Sequence, residues 1–276
     1  MGAILLKNIV LDGQVSDVFI DGGIIRGIVR AGEPVPGGDM VSGVEVVDCS
    51  GKAAVPGFVN MHTHAAMSLM RGVGEDLVFS DWIDRIWDVE SKIDEEAVYW
   101  GTKVACVEML KTGTTTFNDH YWFPEAGQLA AAEMGLRPVS SYVAIDRNDP
   151  DEAEREKEQI QKMYERSLSW PGLSTFAAGF HAIYSVTEDM IVWTSEFAKK
   201  HGLKVHFHLS ETRKEVEDSM RKYGLSPVQY LDRLGVLGPE AIAAHTLWLS
   251  EEDIEILGRR KVNCVHNINS NLKLAS

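Results

Sequence analysis

The sequence predicts an α/β protein: a TIM-type (β/α)8 barrel that lacks its eighth strand, preceded by a small N-terminal β-sandwich subdomain. Three observations support this prediction. Short β-branched runs separated by turn signals fill residues 1–55, strand-like and helix-like segments alternate from residue 56 to residue 276, and eight of the nine histidines lie where strand-like runs end. Repeated βα units imply parallel strands, and the ligand sites of such barrels lie at the carboxyl ends of the strands.

Residues 1–55 form the first predicted domain, which we interpret as half of a composite sandwich of antiparallel strands. Turn signals such as Asp12-Gly13 and Asp21-Gly22-Gly23 separate its apolar runs. The runs cover residues 4–6, 8–12, 17–21, 24–29 and 44–48.

Residues 56–276 form the second predicted domain, a barrel that is truncated before strand eight. Seven strand-like runs begin near residues 54, 113, 138, 174, 203, 241 and 261. Apolar residues at helical spacing, or solvated charged stretches, lie between them. The predicted helices are Glu95–Leu110, Asp151–Ser167, Glu188–Lys200, Arg213–Tyr223 and Ser250–Arg259. Ser250 precedes three acidic residues, a pattern typical of a helix N-cap.

The bulk composition excludes several classes of partner. The chain has 276 residues, 45% of them hydrophobic, and a formal net charge of −14. Nucleic acids and anionic membranes bind basic surfaces, so neither is expected as a partner. No apolar run reaches the ~18 residues of a membrane span, and the N-terminus lacks the pattern of a signal peptide. Three scattered cysteines favour a reducing compartment, and we predict a cytoplasmic protein.

The strand-end histidines indicate a metal site. His62 and His64 are separated by one residue, so a strand places both imidazoles on one face. Taken alone, the pair is equally compatible with hydrogen-bonded core histidines. His208 and His245 end two later strands, and this combination favours a metal site at the barrel mouth. His206 precedes His208 on the same strand face and is predicted to be buried below the site.

Glu211 follows His208 by three residues, at the first turn beyond the strand. A carboxylate there can reach a bound water and a departing group, and so can act as a proton shuttle. An acid that only stabilises the N-terminus of the following helix is the alternative.

Four segments resemble the amidohydrolase superfamily, and within it the 5-methylthioadenosine/S-adenosylhomocysteine deaminases and the related triazine-hydrolase branch. The first is Pro56-Gly-Phe-Val-Asn-Met-His-Thr-His-Ala-Ala-Met-Ser-Leu-Met-Arg-Gly72. The others are His206-Phe-His-Leu-Ser-Glu-Thr212, Ala244-His-Thr-Leu-Trp-Leu-Ser250 and Asn267-Ile-Asn-Ser-Asn-Leu-Lys-Leu-Ala-Ser276. The resemblance spans the whole chain, including residues 1–55.

The resemblance implies roles for particular residues. His62, His64 and His208 match the metal ligands, and Glu211 matches the general acid/base that gives a proton to the departing amine. His245 matches the histidine that orients the attacking hydroxide or the substrate. Two further positions match substrate-binding residues: His181 after strand four, and Glu90, which resembles a ribose-binding glutamate or is an exposed helix acid.

The resemblance also implies one divalent metal, Zn²⁺ with Fe²⁺ as the alternative, because the fourth barrel strand lacks the lysine of dinuclear members. Two departures stand out. The aspartate of strand eight lies outside this sequence, so we interpret the chain as truncated and expect little turnover from it. Relatives that bind a carboxylate tail use arginines after strand three, where this chain has Tyr142; Arg147 and Arg155 are possible substitutes.

The function that the resemblance implies is metal-dependent hydrolytic deamination of an amino-substituted purine nucleoside. The expected substrate is 5-methylthioadenosine, S-adenosylhomocysteine or adenosine. The alternatives are another ring C–N or C–halide hydrolase, acting on a triazine, guanine or a pterin, and an inactive truncated barrel. The expected partner is a small heterocyclic amine, and a homo-oligomer is compatible with the family.

Overall fold

The computed structural model describes residues 2–36 and 42–274, with positions 79 and 80 described by their backbone alone. Within it the chain divides into two compact units, residues 1–57 and residues 58–276. Among the described residues, none of the helices has the length and apolar content needed to cross a membrane.

The first unit is a four-stranded sheet in the order β3-β2-β1-β4. Its strands are β1 (Ile4–Leu11), β2 (Gln14–Asp21), β3 (Ile24–Arg30) and β4 (Glu45–Asp48). Strands β1, β2 and β3 are antiparallel as predicted, but β4 pairs with β1 in parallel, so the prediction of a wholly antiparallel sheet was wrong. Residues 31–44 separate β3 from β4, and a connection of this length allows β4 to run parallel to β1, whereas a tight hairpin turn would not.

One β-bulge joins two runs that the sequence predicted as separate. Asn8 has φ of 59° and the β1–β2 register shifts between Leu6 and Ile9. The Asn8 N–H donates to Asp17 Oδ1 at 2.9 Å, which satisfies the amide that the bulge removes from the ladder. A single strand therefore continues where the polar residue suggested a break.

The second unit is a seven-stranded parallel sheet that curls into a nearly closed TIM-type barrel. Its strand order, β11-β10-β9-β8-β7-β6-β5, follows the chain, as repeated βα units require. The strands are β5 (Phe58–Thr63), β6 (Thr114–His120), β7 (Arg137–Ser141), β8 (Thr175–Gly179), β9 (Val205–Leu209), β10 (Ala241–His245) and β11 (Asn263–Val265). The predicted fold class is confirmed.

Helices cover the outside of this sheet, and a 3₁₀ segment, Ala65–Met70, directly follows β5. The described helices are α1 (Phe79–Glu90), α2 (Glu95–Lys111), α3 (Pro124–Glu133), α4 (Pro150–Ser167), α5 (Glu188–His201), α6 (Arg213–Tyr223), α7 (Pro227–Arg233), α8 (Glu251–Arg260) and α9 (Ile268–Leu274). All five helices predicted from the sequence are present. Ser250 caps α8 through a capping box with Asp253, as its sequence pattern indicated.

The main core fills the space between β8, β9, β10 and the helices outside them. Phe180 and Phe207 stack with ring centroids 4.9 Å apart, and β9 and β10 are buried along their whole length. Strands buried on both faces are typical of parallel sheets covered by helices. This packing holds the carboxyl ends of the strands in fixed positions, where the histidines lie.

Candidate active site

A cavity of about 550 Å³ lies at the carboxyl ends of the barrel strands. Every residue that the sequence predicted for the site lines this cavity: His62, His64, Glu90, His181, His208, Glu211 and His245. Strand-end positions bring them together because the strands are parallel, so residues separated by up to 183 positions meet at one edge.

His64 and His208 are held by backbone carbonyl groups. His64 Nδ1 lies 2.6 Å from the carbonyl oxygen of His120, and His208 Nδ1 lies 2.9 Å from that of His181. A carbonyl only accepts hydrogen bonds, so each Nδ1 carries the proton and each Nε2 has a free lone pair. These two Nε2 atoms face each other at 3.2 Å. Two lone pairs at that distance repel unless a proton or a cation lies between them, so the arrangement fits a metal ion.

His62 and His245 are also fixed through Nδ1. His62 Nδ1 lies 2.8 Å from His206 Nε2, and His245 Nδ1 lies 2.9 Å from Asn271 Oδ1. Anchoring one ring nitrogen while the other faces the site is typical of metal-ligating histidines. Ligand atoms of His62, His208 and His245 lie within 4.8 Å of one another, so these three residues could hold a metal ion. The structure thus adds His245 to the possible ligands, beside the predicted His62, His64 and His208.

Burial keeps the imidazoles neutral. It is the main cause that lowers the pKa of His64 and that holds the pKa values of His62 and His208 well below their usual range. The neighbouring imidazoles lower the pKa of His62 and His208 further, since a protonated ring would repel the others. Neutral imidazole is the form that binds a divalent cation, and an all-imidazole donor set suits zinc, iron and similar metals.

A second layer of buried groups supports these rings. His206 is fully buried, and its Nδ1 lies 3.2 Å from Ser141 Oγ, which also lies 2.9 Å from His120 Nδ1. The Ser141 hydroxyl donates to the carbonyl of Asp119 at 2.8 Å. His206 therefore lies below the site, where the sequence predicted it, and orients His62 from beneath.

Glu211 lies at the mouth of the site, after the end of β9. One of its carboxyl oxygens, Oε1, is 3.5 Å from His245 Nε2. Burial raises the pKa of Glu211 to about 8, and the neighbouring Glu215 carboxyl adds to the shift. A raised pKa favours the protonated carboxyl, which is the form that a proton donor requires. Glu211 precedes the N-cap Thr212 of α6 and is therefore not in the first turn of the helix, where an acid that stabilises the N-terminus would lie.

Glu215 positions the loop that carries Glu211, and the sequence reasoning missed it. Its carboxylate accepts the N–H groups of Ser210 at 2.9 Å and Glu211 at 2.8 Å. Ser210 has φ of 51°, so these two hydrogen bonds hold a backbone turn that a serine adopts with strain. Nothing in the sequence separates Glu215 from an ordinary acid in the first turn of a helix.

Glu90, His181 and Trp87 also line the histidine cavity. Glu90 is the last residue of α1, and its Oε1 accepts the Tyr121 hydroxyl at 2.8 Å. Burial raises the pKa of Glu90 to about 7. His181 Nδ1 lies 2.8 Å from Ser185 Oγ, and its ring centroid lies 6.4 Å from that of Trp87. A carboxylate and an aromatic ring that line the same cavity as the histidine cluster can bind a sugar or a heterocycle.

Arg147 and Arg155, the possible substitutes for the carboxylate-binding arginines of relatives, lie in different places. Arg155 is exposed and pairs with Glu152 of α4, which lines the cavity beside the histidine cavity. Arg147 does not line the histidine cavity but borders a neighbouring one. Tyr142 is buried among core residues, and a buried hydroxyl there cannot neutralise an anion.

Comparison with known proteins finds a matching family model, similar sequences and similar solved structures. The model of the amidohydrolase family matches residues 53–276. A 5′-deoxyadenosine deaminase of Methanocaldococcus jannaschii is 39% identical over 99% of this chain and 64% of its own length. A 5-methylthioadenosine/S-adenosylhomocysteine deaminase of Archaeoglobus fulgidus is 41% identical over 98% of this chain and 63% of its own length.

Solved structures show the same fold. The structure of an adenosine deaminase from Xanthomonas campestris with bound zinc matches with a TM-score of 0.83 and 31% identity, over 99% of this chain and 64% of that one. A triazine hydrolase from Arthrobacter aurescens matches with a TM-score of 0.85 and 19% identity, over 99% of this chain and 67% of that one, which supports the fold alone. The chain spans less than two thirds of the length of the two deaminases it resembles in sequence.

Proposed function

The chain belongs to the amidohydrolase family, and on that premise we propose that it acts in the hydrolytic deamination of an amino-substituted purine nucleoside. The observation that supports this most directly is the geometry of the cluster. The Nε2 atoms of His64 and His208 face each other at 3.2 Å, and ligand atoms of His62, His208 and His245 lie within 4.8 Å of one another. Glu211, whose pKa burial raises to about 8, lies beside them.

The metal in this proposal is one divalent ion, Zn²⁺ with Fe²⁺ as the alternative, and His62, His64 and His208 would hold it. A zinc ion bound to a similar fold in the adenosine deaminase of Xanthomonas campestris supports zinc. When bound, such an ion supplies the positive field that makes water a nucleophile at neutral pH. The two facing Nε2 atoms of His64 and His208 also fit a cation, because a cation between them relieves the repulsion of their lone pairs.

In this proposal Glu211 donates a proton, and His245 orients the attacking water or the substrate. The carboxyl of Glu211 gives its proton to the departing ring amine, which leaves as ammonia, and the proton released by the attacking water returns to Glu211. His245 Nε2, fixed by the Asn271 contact at Nδ1, accepts a hydrogen bond from the attacking water or from the substrate ring. The 3.5 Å separation of His245 Nε2 from Glu211 Oε1 lets both groups contact the same reacting carbon and its substituents.

Glu90 and His181 bind the part of the substrate beyond the ring. Glu90 is held by the Tyr121 hydroxyl through one oxygen, which leaves the other free to accept from a ribose hydroxyl. His181 is fixed by Ser185 and can donate to or accept from the nucleoside through Nε2. Trp87 supplies an aromatic face for the purine.

The substrates that we propose are 5′-substituted adenosines. The two relatives above carry the names of deaminases for 5′-deoxyadenosine and for 5-methylthioadenosine or S-adenosylhomocysteine. The named substrates share the adenosine part and differ only at the 5′ position. One fixed reaction centre for the adenine ring would therefore serve all of them. We also propose that the protein is cytoplasmic, with three free cysteines in support, and that it forms a homo-oligomer.

The test is turnover by the full-length, metal-loaded protein of 5′-deoxyadenosine, 5-methylthioadenosine, S-adenosylhomocysteine, adenosine and guanine, followed by ultraviolet absorbance and ammonia release. The proposal predicts one ammonia for each adenine nucleoside converted to the inosine form. If guanine reacts and none of the nucleosides does, the proposed substrate class is wrong. If no compound reacts while one metal ion is bound, the proposed deamination of adenine nucleosides is wrong.

A further inference from the structure

A second cavity of about 770 Å³ adjoins the histidine cavity. Loop residues after β6, β7 and β8 surround it, together with the end of α1 and the start of α4. Five residues line both cavities: Trp87, Glu90, Trp122, Ile145 and Tyr184. Because these residues, the shared wall, line both cavities, a ligand bound at Glu90 lies at the boundary between the histidine cavity and the second cavity.

The direction of the substrate follows from the proposed function, on which this inference rests. Glu211 and the imidazoles fix the amine-bearing ring at the inner end, and Glu90 fixes the ribose at the shared wall. Whatever extends beyond the ribose at its 5′ position must then enter the second cavity. This cavity therefore contacts the part of the molecule in which the names of the relatives differ.

The walls of the second cavity change from apolar to acidic. The shared wall carries aromatic and aliphatic side chains, and Phe123 extends it. Beyond it the lining is acidic, and Arg147, which is exposed, is the one basic residue among the described residues that line it. The acidic residues are Asp146, Asp149, Glu152 and Glu156.

Two of these carboxyl groups occupy positions where an anion could otherwise bind. Asp149 is the N-cap of α4 and accepts the Asp151 N–H at 2.9 Å, so the positive end of that helix is already neutralised. Asp146 accepts the Thr187 N–H at 2.8 Å and the Asn148 N–H at 2.8 Å. An entering carboxylate would thus meet fixed negative charge where backbone donors might have received it.

Glu156 is the group best placed to contact a cation. It is half-buried, and its Oε2 atom is buried without a hydrogen-bond partner among the described residues. The Tyr142 hydroxyl contacts this carboxyl, and burial raises the pKa of Glu156 to about 7. A donor arriving from the cavity would satisfy that oxygen, and a positively charged donor would also stabilise the ionised carboxylate.

We propose that this second cavity receives the 5′ substituent of the nucleoside and selects substituents that are apolar or that end in a cation over those that end in a carboxylate. The aromatic wall binds the alkyl or thioether part. The acidic end attracts an ammonium group and repels a carboxylate through Glu156 and Asp146, and through Glu152, whose charge the exposed Arg155 partly offsets. S-adenosylhomocysteine carries both groups on its tail and ranks between the two.

The test uses three adenosines of nearly equal length, with 5′-butylthio, 5′-(3-aminopropylthio) and 5′-(2-carboxyethylthio) groups, and 5′-deoxyadenosine as the reference. With the full-length, metal-loaded protein, we expect kcat/KM for the ammonium compound to exceed that for the carboxylate compound by at least about tenfold at low salt. In the double variant Glu152→Gln/Glu156→Gln this ratio falls to within about threefold of one. The value for 5′-deoxyadenosine changes by less than about threefold, because it does not reach the acidic end.

The matched control is Glu158→Gln, which removes one charge from an exposed position of the same helix. It leaves the ratio unchanged if the cavity residues are responsible. Calorimetric binding of the same compounds gives a readout that does not need turnover. A carboxylate compound that binds and reacts as well as the ammonium compound overturns the inference, as does a ratio that the double variant leaves unchanged.

The two proposals fail in different ways. Deamination of 5′-deoxyadenosine with no discrimination among the three thioethers rejects the acidic cavity alone. Absence of deamination for every adenosine, with metal bound, rejects the proposed function first.

Discussion

At the scale of single residues, Glu211 combines a raised pKa with a position beside the imidazole of His245. Burial, with the neighbouring Glu215 carboxyl, raises its pKa to about 8. The proposed reaction needs a proton donor at that position, and no other carboxyl is as close to His245 Nε2 among the described residues.

The variant Glu211→Gln therefore tests the proton transfer. Glutamine keeps the size of the side chain and cannot donate a carboxyl proton, so we expect kcat to fall by about 10²- to 10⁴-fold with the metal content unchanged. Metal analysis and steady-state kinetics on the same sample check this. Glu217→Gln, on the exposed face of α6, is the control. Normal kcat in Glu211→Gln would remove this residue from the mechanism.

Asn271 gives a second residue-scale prediction, through His245. Its Oδ1 atom holds His245 Nδ1 at 2.9 Å, which fixes the ring and leaves Nε2 for the site. Asn271→Leu removes the acceptor, and we expect kcat to fall by about 10- to 100-fold, the usual effect of losing such a supporting contact. Asn271→Asp restores an acceptor and should recover most of that loss. Equal kcat in the leucine variant and the unmodified protein would contradict the assignment.

The sequence predicted the site residues at the strand ends, but it did not predict the residues whose hydrogen bonds fix those side chains and the adjoining loop in place. His62 and His64 could be predicted because a strand places alternate residues on one face, and His208 and His245 because parallel strands end at one edge. Asn271 and Glu215 could not, because their roles depend on backbone and side-chain contacts that have no periodic signal. The same holds for Tyr121, whose contact with Glu90 depends on where α1 ends.

At the scale of elements, α2 packs unusually closely on the 3₁₀ segment that follows His64. A Cβ atom placed on Gly101 would lie 2.5 Å from the carbonyl oxygen of Ala66 and 2.9 Å from its Cα. The Ser68 hydroxyl donates to the Gly101 carbonyl at 2.6 Å, so the contact also carries a hydrogen bond. Only glycine allows this approach, and it sets where β5 ends.

Gly101→Ala is consequently expected to lower the free energy of unfolding by about 1–3 kcal/mol, because backbone must move to admit the methyl group. Displacement of Ala65–Met70 would also weaken metal binding, since His64 adjoins it. Gly258→Ala in α8 is the control: no atom lies within 4 Å of its Cβ position, and helix propensity should raise stability by about 0.5–1 kcal/mol. Urea unfolding of both variants measures this. A Gly101→Ala protein as stable as the parent would show that the contact is not tight.

Elements with strong periodicity or clear caps were predictable, and short or alanine-rich ones were not. Helix α6 was predicted at its observed bounds, Arg213–Tyr223, because polar flanks and Gly224 define it. Helices α1, α3, α7 and α9 were missed. Helix α3 is rich in alanine and shows little amphipathic pattern, while α7 has only seven residues and begins with a proline. The parallel pairing of β4 was missed because strand direction depends on the path of the connection, which residue type does not encode.

At the scale of the whole molecule, buried titratable groups set how the metal-free protein responds to pH. Burial raises the pKa of Asp119 and Glu215 to about 7 and that of Glu211 to about 8. These carboxyls are protonated in the folded state at pH values where the unfolded chain has lost the proton. Stability from this source is present at low pH and is lost as pH rises toward 8. Two partly buried carboxyls, Glu90 and Glu156, act in the same direction.

The buried histidines act in the opposite direction. Burial lowers the pKa of His181 and His206 to about 3 and that of His245 to about 4, against 6.5 for an unfolded histidine. Their contribution is present above pH 6.5 and is lost as pH falls. Because more buried histidines have lowered pKa values than buried carboxyls have raised ones, we expect the Tm of the metal-free protein to be highest near about pH 6.5, and to decrease toward about pH 8.5 and toward about pH 3.5.

Thermal unfolding of the metal-free protein across this pH range checks the prediction. The double variant Glu211→Gln/Glu215→Gln should flatten the alkaline side of the profile, because two of the raised carboxyls are gone. A Tm that rises steadily from about pH 6.5 to 8.5 would contradict the assignment of protonated carboxyls to the interior.

The central claim is that one divalent metal ion, held by the strand-end histidines, enables deamination. The most direct measurement is a titration of the metal-free, full-length protein with Zn²⁺, with bound metal and ammonia release from 5′-deoxyadenosine followed in the same samples. The account predicts that both quantities rise together and saturate at one ion per chain, and that His208→Ala prevents both. Ammonia release without metal, or activity that appears only at a second equivalent, would contradict it.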